Sequence, residues 1–99
     1  MDTEPLLTIA FAAPVMEWRG PAPFYFVPVP ERYVGAIADA ARTVSYGWGV
    51  VPVMARIGDA EFRTSLFPRD GGYLLPIKVA VRKKTGLAPG DEAMVELSV

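Results

Sequence analysis

The sequence predicts a mainly β protein, a small closed or split β-barrel with two short helices capping its ends. Short apolar runs alternate with a period of two, ten prolines interrupt most of the chain, and only two segments carry helical spacing. Short strands that bury one face and leave exposed edges commonly close into a barrel. At 99 residues, the chain is expected to form one domain, residues 1–99, with the order ββαββ(β)αβ.

The N-terminal part predicts two paired strands. Residues 6–12 alternate apolar and small or polar side chains, and Pro14 bends or ends this strand, with a continuation through Trp18 left open. Gly20 and Pro21 turn the chain. Residues 24–29 then predict a short aromatic strand that pairs back on the first.

The first helix is predicted over Glu31–Thr43. Pro30 suits the start of a helix, Glu31 complements the positive N-terminal end, and apolar residues follow at helical spacing through Ala41. Residues 51–57 and 62–66 then alternate on either side of a Gly58-Asp59 turn, which predicts a central hairpin. A flexible loop is expected over residues 68–72.

The second helix is predicted over Ile77–Thr85, with Pro76 at its start. Basic residues lie near its negative end and Gly86 is the expected left-handed cap. Pro89 and Gly90 suit a type II turn, and residues 93–99 alternate in a closing strand.

Residues 46–91, YGWGVVPVMARIGDAEFRTSLFPRDGGYLLPIKVAVRKKTGLAPGD, carry a combined signature. It resembles the bacterial and archaeal domain of unknown function family 1905 (DUF1905), and the resemblance extends over nearly the whole chain. That resemblance implies a small split β-barrel capped by helices, without an established activity. The LP-K-VR-GL-PGD pattern of the tail also resembles the AbrB and MazE class of DNA-binding dimers, which is the alternative function.

Composition excludes several function classes. The chain has no cysteine and no histidine, so it lacks thiol nucleophiles, the commonest general base and the commonest zinc ligand. We therefore expect no enzyme, no cofactor and no metal site. A net charge of −1 supplies no field that would attract nucleic acid or a membrane, and the acidic N-terminus is unlike a secretory signal. A cytoplasmic protein is expected.

A binding module for a small anionic or aromatic ligand, or for a protein partner, is the function that the sequence favours. Lys78 in the first turn of the second helix is unfavourably placed unless an anion or a carboxylate neutralises its charge. The alternative is that Lys78 and Arg82 form ion pairs with Asp91, Glu17 or Glu92. The expected ligand-binding residues are Arg63, Thr64, Ser65, Lys78 and Arg82, with Tyr25 and Trp48 at the rim.

Two further groups carry weaker hypotheses. The aromatic residues Trp18, Tyr25, Phe26, Tyr46 and Trp48 would suit a stacking surface, although packing at the barrel mouth explains them more simply. Ser65 and Lys78 would have to lie within hydrogen-bond reach to form a nucleophilic pair, and no oxyanion motif accompanies them. The apolar composition is also compatible with a weak homodimer.

Overall fold

The computed structural model describes residues 5–21, 24–44 and 49–99, and within them the chain forms seven strands and two α-helices. A 3₁₀ turn, Glu31–Tyr33, leads directly into the first helix. The strands are β1 Thr8–Pro14, β2 Met16–Trp18, β3 Phe24–Pro28, β4 Val51–Ile57, β5 Ala60–Arg69, β6 Gly72–Ile77 and β7 Glu92–Ser98, and the helices are α1 Val34–Val44 and α2 Val79–Thr85.

The described strands form one antiparallel sheet in the order β1-β7-β4-β5-β6-β3-β2, curled into a half-barrel. The long strand β5 joins its two halves, because its first part pairs with β4 and its last three residues pair with β6. The outermost strands β1 and β2 are separated in sequence only by Val15. Its N–H donates to the carbonyl of Asp91 at 2.8 Å, and its carbonyl accepts from Gly90 at 2.8 Å. The N-terminal segment therefore bends from one side of the sheet to the other.

The core lies on the inner face of the curled sheet. The alternation predicted for residues 51–57 and 93–97 is confirmed, since the odd-numbered residues of both runs are buried and the even-numbered ones are more exposed. Ile37 from α1 and Val81 from α2 join this core. Leu66, Leu75 and Leu97 are completely buried, and burial of each such side chain contributes about 1.5–3 kcal/mol.

Two tight hairpin turns set the register of the central strands. Gly58 has φ of 59° and turns β4 into β5 as expected. The prediction of a flexible loop over residues 68–72 was wrong, because β5 continues to Arg69 and a two-residue turn leads straight into β6. Both residues of that turn have positive φ, 51° at Asp70 and 78° at Gly71, as a type I′ hairpin requires.

The first helix matches its prediction closely, with a 3₁₀ turn from Glu31 and an end at Val44. The second helix was predicted to start too early. Pro76 lies within β6 opposite Phe26, and Lys78 is extended, with φ −71° and ψ 159°. A proline is accommodated there because β6 pairs with β5 only over residues 72–74, so in the described part of the chain one edge of the strand has no strand partner at Pro76. Neither described helix is long and apolar enough to cross a membrane.

Candidate functional site

The site is formed where α2 packs beside β3. Tyr25 lies on β3 between Glu17 of β2 and Ile77 of β6, and its ring packs partly against the core. Helix α2 begins almost directly after Ile77, so its first turns lie close to β3. Arg82, on the second turn, places its Cζ atom 3.7 Å from the centroid of the Tyr25 ring. This is the closest of three arginine–aromatic contacts among the described residues.

Arg82 has no acidic partner in the described part of the chain. Its Nε atom is buried without a hydrogen-bond partner, and the four ion pairs of the described residues do not include it or Lys78. The carboxylates expected as alternative partners of Lys78 and Arg82 form no ion pair with either residue. Glu17 pairs with Arg19 at 3.2 Å, and a carboxylate oxygen of Asp91 accepts the Ala88 N–H at 2.9 Å. Among the described residues, the guanidinium of Arg82 is therefore held by stacking on Tyr25 and not by a carboxylate.

A shallow depression of about 310 Å³ lies beside this stacked pair. Its shape depends on the end of α2, where Gly86 adopts φ of 73° and donates its N–H to the carbonyl of Arg82 at 2.8 Å. The chain then turns back, and Leu87 packs against the core. The described lining residues include two cations and no acid, and they are Tyr25, Arg82, Lys83, Gly86, Leu87 and Ala88.

The remaining candidate residues lie elsewhere. Arg63 and Ser65 face away from the core on β5, whereas Thr64 between them faces the side of the buried Leu66. Lys78 is exposed at the start of α2. Arg63, Thr64, Ser65 and Lys78 do not line the depression beside Arg82, so the structure does not bring the predicted cluster together as one pocket. Trp48 lies outside the described residues.

The described residues do not support the stacking surface or the nucleophilic pair that the sequence suggested. Trp18 and Phe26 lie on the outer face of the sheet, opposite the face of Tyr25, and Tyr46 lies outside the described residues. The structure describes both Ser65 and Lys78 and shows no hydrogen bond between them. In residues 5–21, 24–44 and 49–99, no three acidic side chains converge as metal ligands would.

Sequence reasoning missed Lys83 and the loop residues Gly86, Leu87 and Ala88 as part of this site. Gly86 was predicted only as the helix cap, which is confirmed, and Leu87 packs against the core. Their second consequence is that the turn after α2 forms one wall of the depression. The sequence around Gly86 does not indicate this wall, because the depression forms only where the turn lies beside β3.

The fold and site define a small mainly β half-barrel with a basic depression between its second helix and the sheet. Within that class, the chain belongs to the DUF1905 family, a domain of unknown function, whose family model matches residues 11–97. The curated proteins compared with the chain include no match.

Proposed function

We propose that this protein is a non-enzymatic binding module that holds a small anion, such as a carboxylate or phosphate carrying an apolar or aromatic group, beside Arg82 and Tyr25. The observation that carries the proposal is the Arg82 guanidinium, which stacks on Tyr25 and has no ion-pair partner in the described part of the chain. Its Cζ atom lies 3.7 Å from the Tyr25 centroid, and no described carboxylate neutralises it.

Stacking on Tyr25 prepares Arg82 to recognise a planar anion. A guanidinium held against a ring has lost rotamer freedom before a ligand arrives, so less entropy is lost on binding. One face of the group is covered by the ring, and its free edge can present paired N–H donors to two oxygens. Lys83 adds a second positive charge beside the depression.

The apolar part of the ligand would contact the turn after α2. Leu87, Ala88 and the ring edge of Tyr25 line that side of the depression, and Gly86 brings no side chain into it. A volume of about 310 Å³ suits a small molecule at the lower end of the range for ligand sites. This supports a ligand the size of a substituted carboxylate or phosphate monoester.

The test measures stabilisation by inorganic phosphate and by phenyl phosphate at matched ionic strength. A ligand present at about ten times its dissociation constant stabilises the folded state by roughly 1.4 kcal/mol. For a chain of this length, the thermal midpoint would rise by about 6 °C. We expect this rise for the wild type and for Lys78→Ala, with a larger effect of phenyl phosphate at equal concentration.

Arg82→Met should abolish the response, and Arg69→Met is the matched control. Arg69 also lies over an aromatic ring, 4.9 Å from Trp18, but it pairs with Asp70 and does not line the depression. Amide chemical shifts should move at Gly86 and Ala88 and not at Lys84. Equal midpoint shifts in wild type and Arg82→Met would contradict the proposal. Native mass spectrometry of the purified protein would search for a bound ligand.

A further inference from the structure

A second apolar cluster lies on the outer face of the sheet, opposite the core. Leu74 is only 9% exposed although it does not belong to the core cluster. The Phe24 ring packs against Phe26 and Phe67 at centroid distances of 5.7 and 6.1 Å. We call this the outer cluster, and its members are Met16, Trp18, Phe24, Phe26, Phe67 and Leu74.

The exposed end of the outer cluster coincides with an open strand edge. β2 lies last in the sheet, and in the described part of the chain its only strand partner is β3. Met16 and Trp18 on this strand remain 44% and 42% exposed. Monomeric β proteins usually protect such an edge by keeping it short, or with charged residues, prolines or bulges. β2 is only three residues long and carries Glu17, but its exposed Met16 and Trp18 add an apolar surface that is suited to pairing with another strand.

The charges next to Trp18 are complementary to a second copy of the same strand. Glu17 and Arg19 lie on either side of Trp18 and on the opposite face, 3.2 Å apart, and the Arg19 side chain is 85% exposed. Two copies of the same strand can pair antiparallel to each other about a two-fold axis. An axis through Trp18 places Glu17 of each copy opposite Arg19 of the other, which gives two favourable cross-strand pairs.

The same features argue against single-stranded nucleic acid as the occupant. The Phe24 ring is tilted by 44° and 57° relative to its two neighbours, so the cluster does not offer parallel flat faces for bases. The chain also has a net charge of −1, and Arg19 and Arg69 beside the cluster already contact acidic residues. A surface with mixed charge is compatible with its own copy, whereas a uniformly basic one would repel it.

We propose that β2 is a homodimer interface, in which two copies pair antiparallel about Trp18 and extend the sheet across the two-fold axis. Met16 lies opposite Gly20 of the second copy in this register. The Trp18 indole of that copy covers Gly20, so the methionine would pack against this ring. The paired segment is short, which places the interface at the small end of the range for protein complexes. The dimer therefore forms reversibly, with a dissociation constant on the order of 100 µM.

Sedimentation equilibrium from about 10 µM to about 1 mM tests this proposal through a charge exchange. Glu17→Arg and Arg19→Glu each place like charges opposite one another and should weaken self-association by about tenfold. Mixing these two variants should restore association as a heterodimer, and the double variant Glu17→Arg/Arg19→Glu should self-associate like the wild type. An intramolecular role for the ion pair cannot produce the heterodimer.

Met94→Ser is the control, because Met94 is 67% exposed on β7, away from β2, and its loss should leave association unchanged. Circular dichroism and thermal melting establish that each variant is folded. In two-dimensional NMR, the indole N–H of Trp18 should shift with protein concentration. A wild type that stays monomeric to about 1 mM, or a dimer that none of the charge variants weakens, would overturn the proposal.

Discussion

Replacing Arg82 with methionine should leave the fold at least as stable as the wild type. The stacked cation contributes about 0.5–2 kcal/mol through its contact with Tyr25. Against this, a buried N–H without a partner costs about 1–3 kcal/mol, and the Nε of Arg82 is such a group among the described residues. Methionine keeps an unbranched stem against the ring and removes the unpaired donor.

The difference between these two effects sets the expected magnitude. Central values of about 1 and 2 kcal/mol give a net stabilisation of about 1 kcal/mol for Arg82→Met. In a domain of this length, that corresponds to a rise of about 4 °C in the thermal midpoint. Urea unfolding followed by tryptophan fluorescence and by far-ultraviolet circular dichroism would measure it, and agreement of the two probes would support a two-state analysis.

Arg69→Met supplies the control with the opposite sign. The Arg69 side chain is 49% exposed, its Nε atom lies 3.7 Å from a carboxylate oxygen of Asp70, and its Cζ atom lies 4.9 Å from the Trp18 ring. Its replacement loses these contacts without relieving a buried donor, so a loss of up to about 1 kcal/mol is expected. If Arg82→Met instead lost more than about 1 kcal/mol, Arg82 would be a structural clamp, and its unpaired state would no longer indicate a binding role.

Two other predictions concern the turn after α2 and the nucleic-acid alternative. Gly86→Ala should destabilise the protein by about 1 kcal/mol in urea unfolding, because alanine disfavours the φ of 73° there, whereas Gly35→Ala within α1 should stabilise it by about 0.5–1 kcal/mol. Equal effects of the two would contradict this assignment of the cap. With a net charge of −1, the protein should not retard duplex DNA, and submicromolar binding that weakens steeply with salt would favour the DNA-binding alternative.

Most of the fold could be predicted because one face of each long strand is buried. In β4 and β7 the pattern of burial repeats the pattern of the sequence, residue by residue. Pro76 could not be placed in the same way. Whether a strand tolerates proline depends on whether a neighbour needs its N–H at that point, and β5 diverges from β6 before Pro76 is reached. That divergence is a property of the curled sheet and leaves no local mark in the sequence.

The candidate site shows the same division between local and tertiary information. Tyr25 and Arg82 were both predicted from the sequence as ligand-binding residues, and the structure places them in contact. The same prediction placed Arg63, Thr64 and Ser65 together in one site. The pleat of β5 turns the middle residue toward the opposite face, so adjacency in a strand separates side chains instead of gathering them.

The choice of Arg82 over Lys78 as the centre of the site follows from desolvation. Lys78 drew attention because a cation is unfavourable at a helix N-terminus, but it is exposed, and solvent and salt weaken that effect. Lys83 and Lys84 lie near the C-terminal end of α2, where the helix dipole already favours cations. The dipole gives an equal reason for a positive charge at Arg82, yet it does not account for an Nε atom that is buried and has no hydrogen-bond partner among the residues that the structure describes. An energetic cost that the fold does not require is the feature that a binding function would explain.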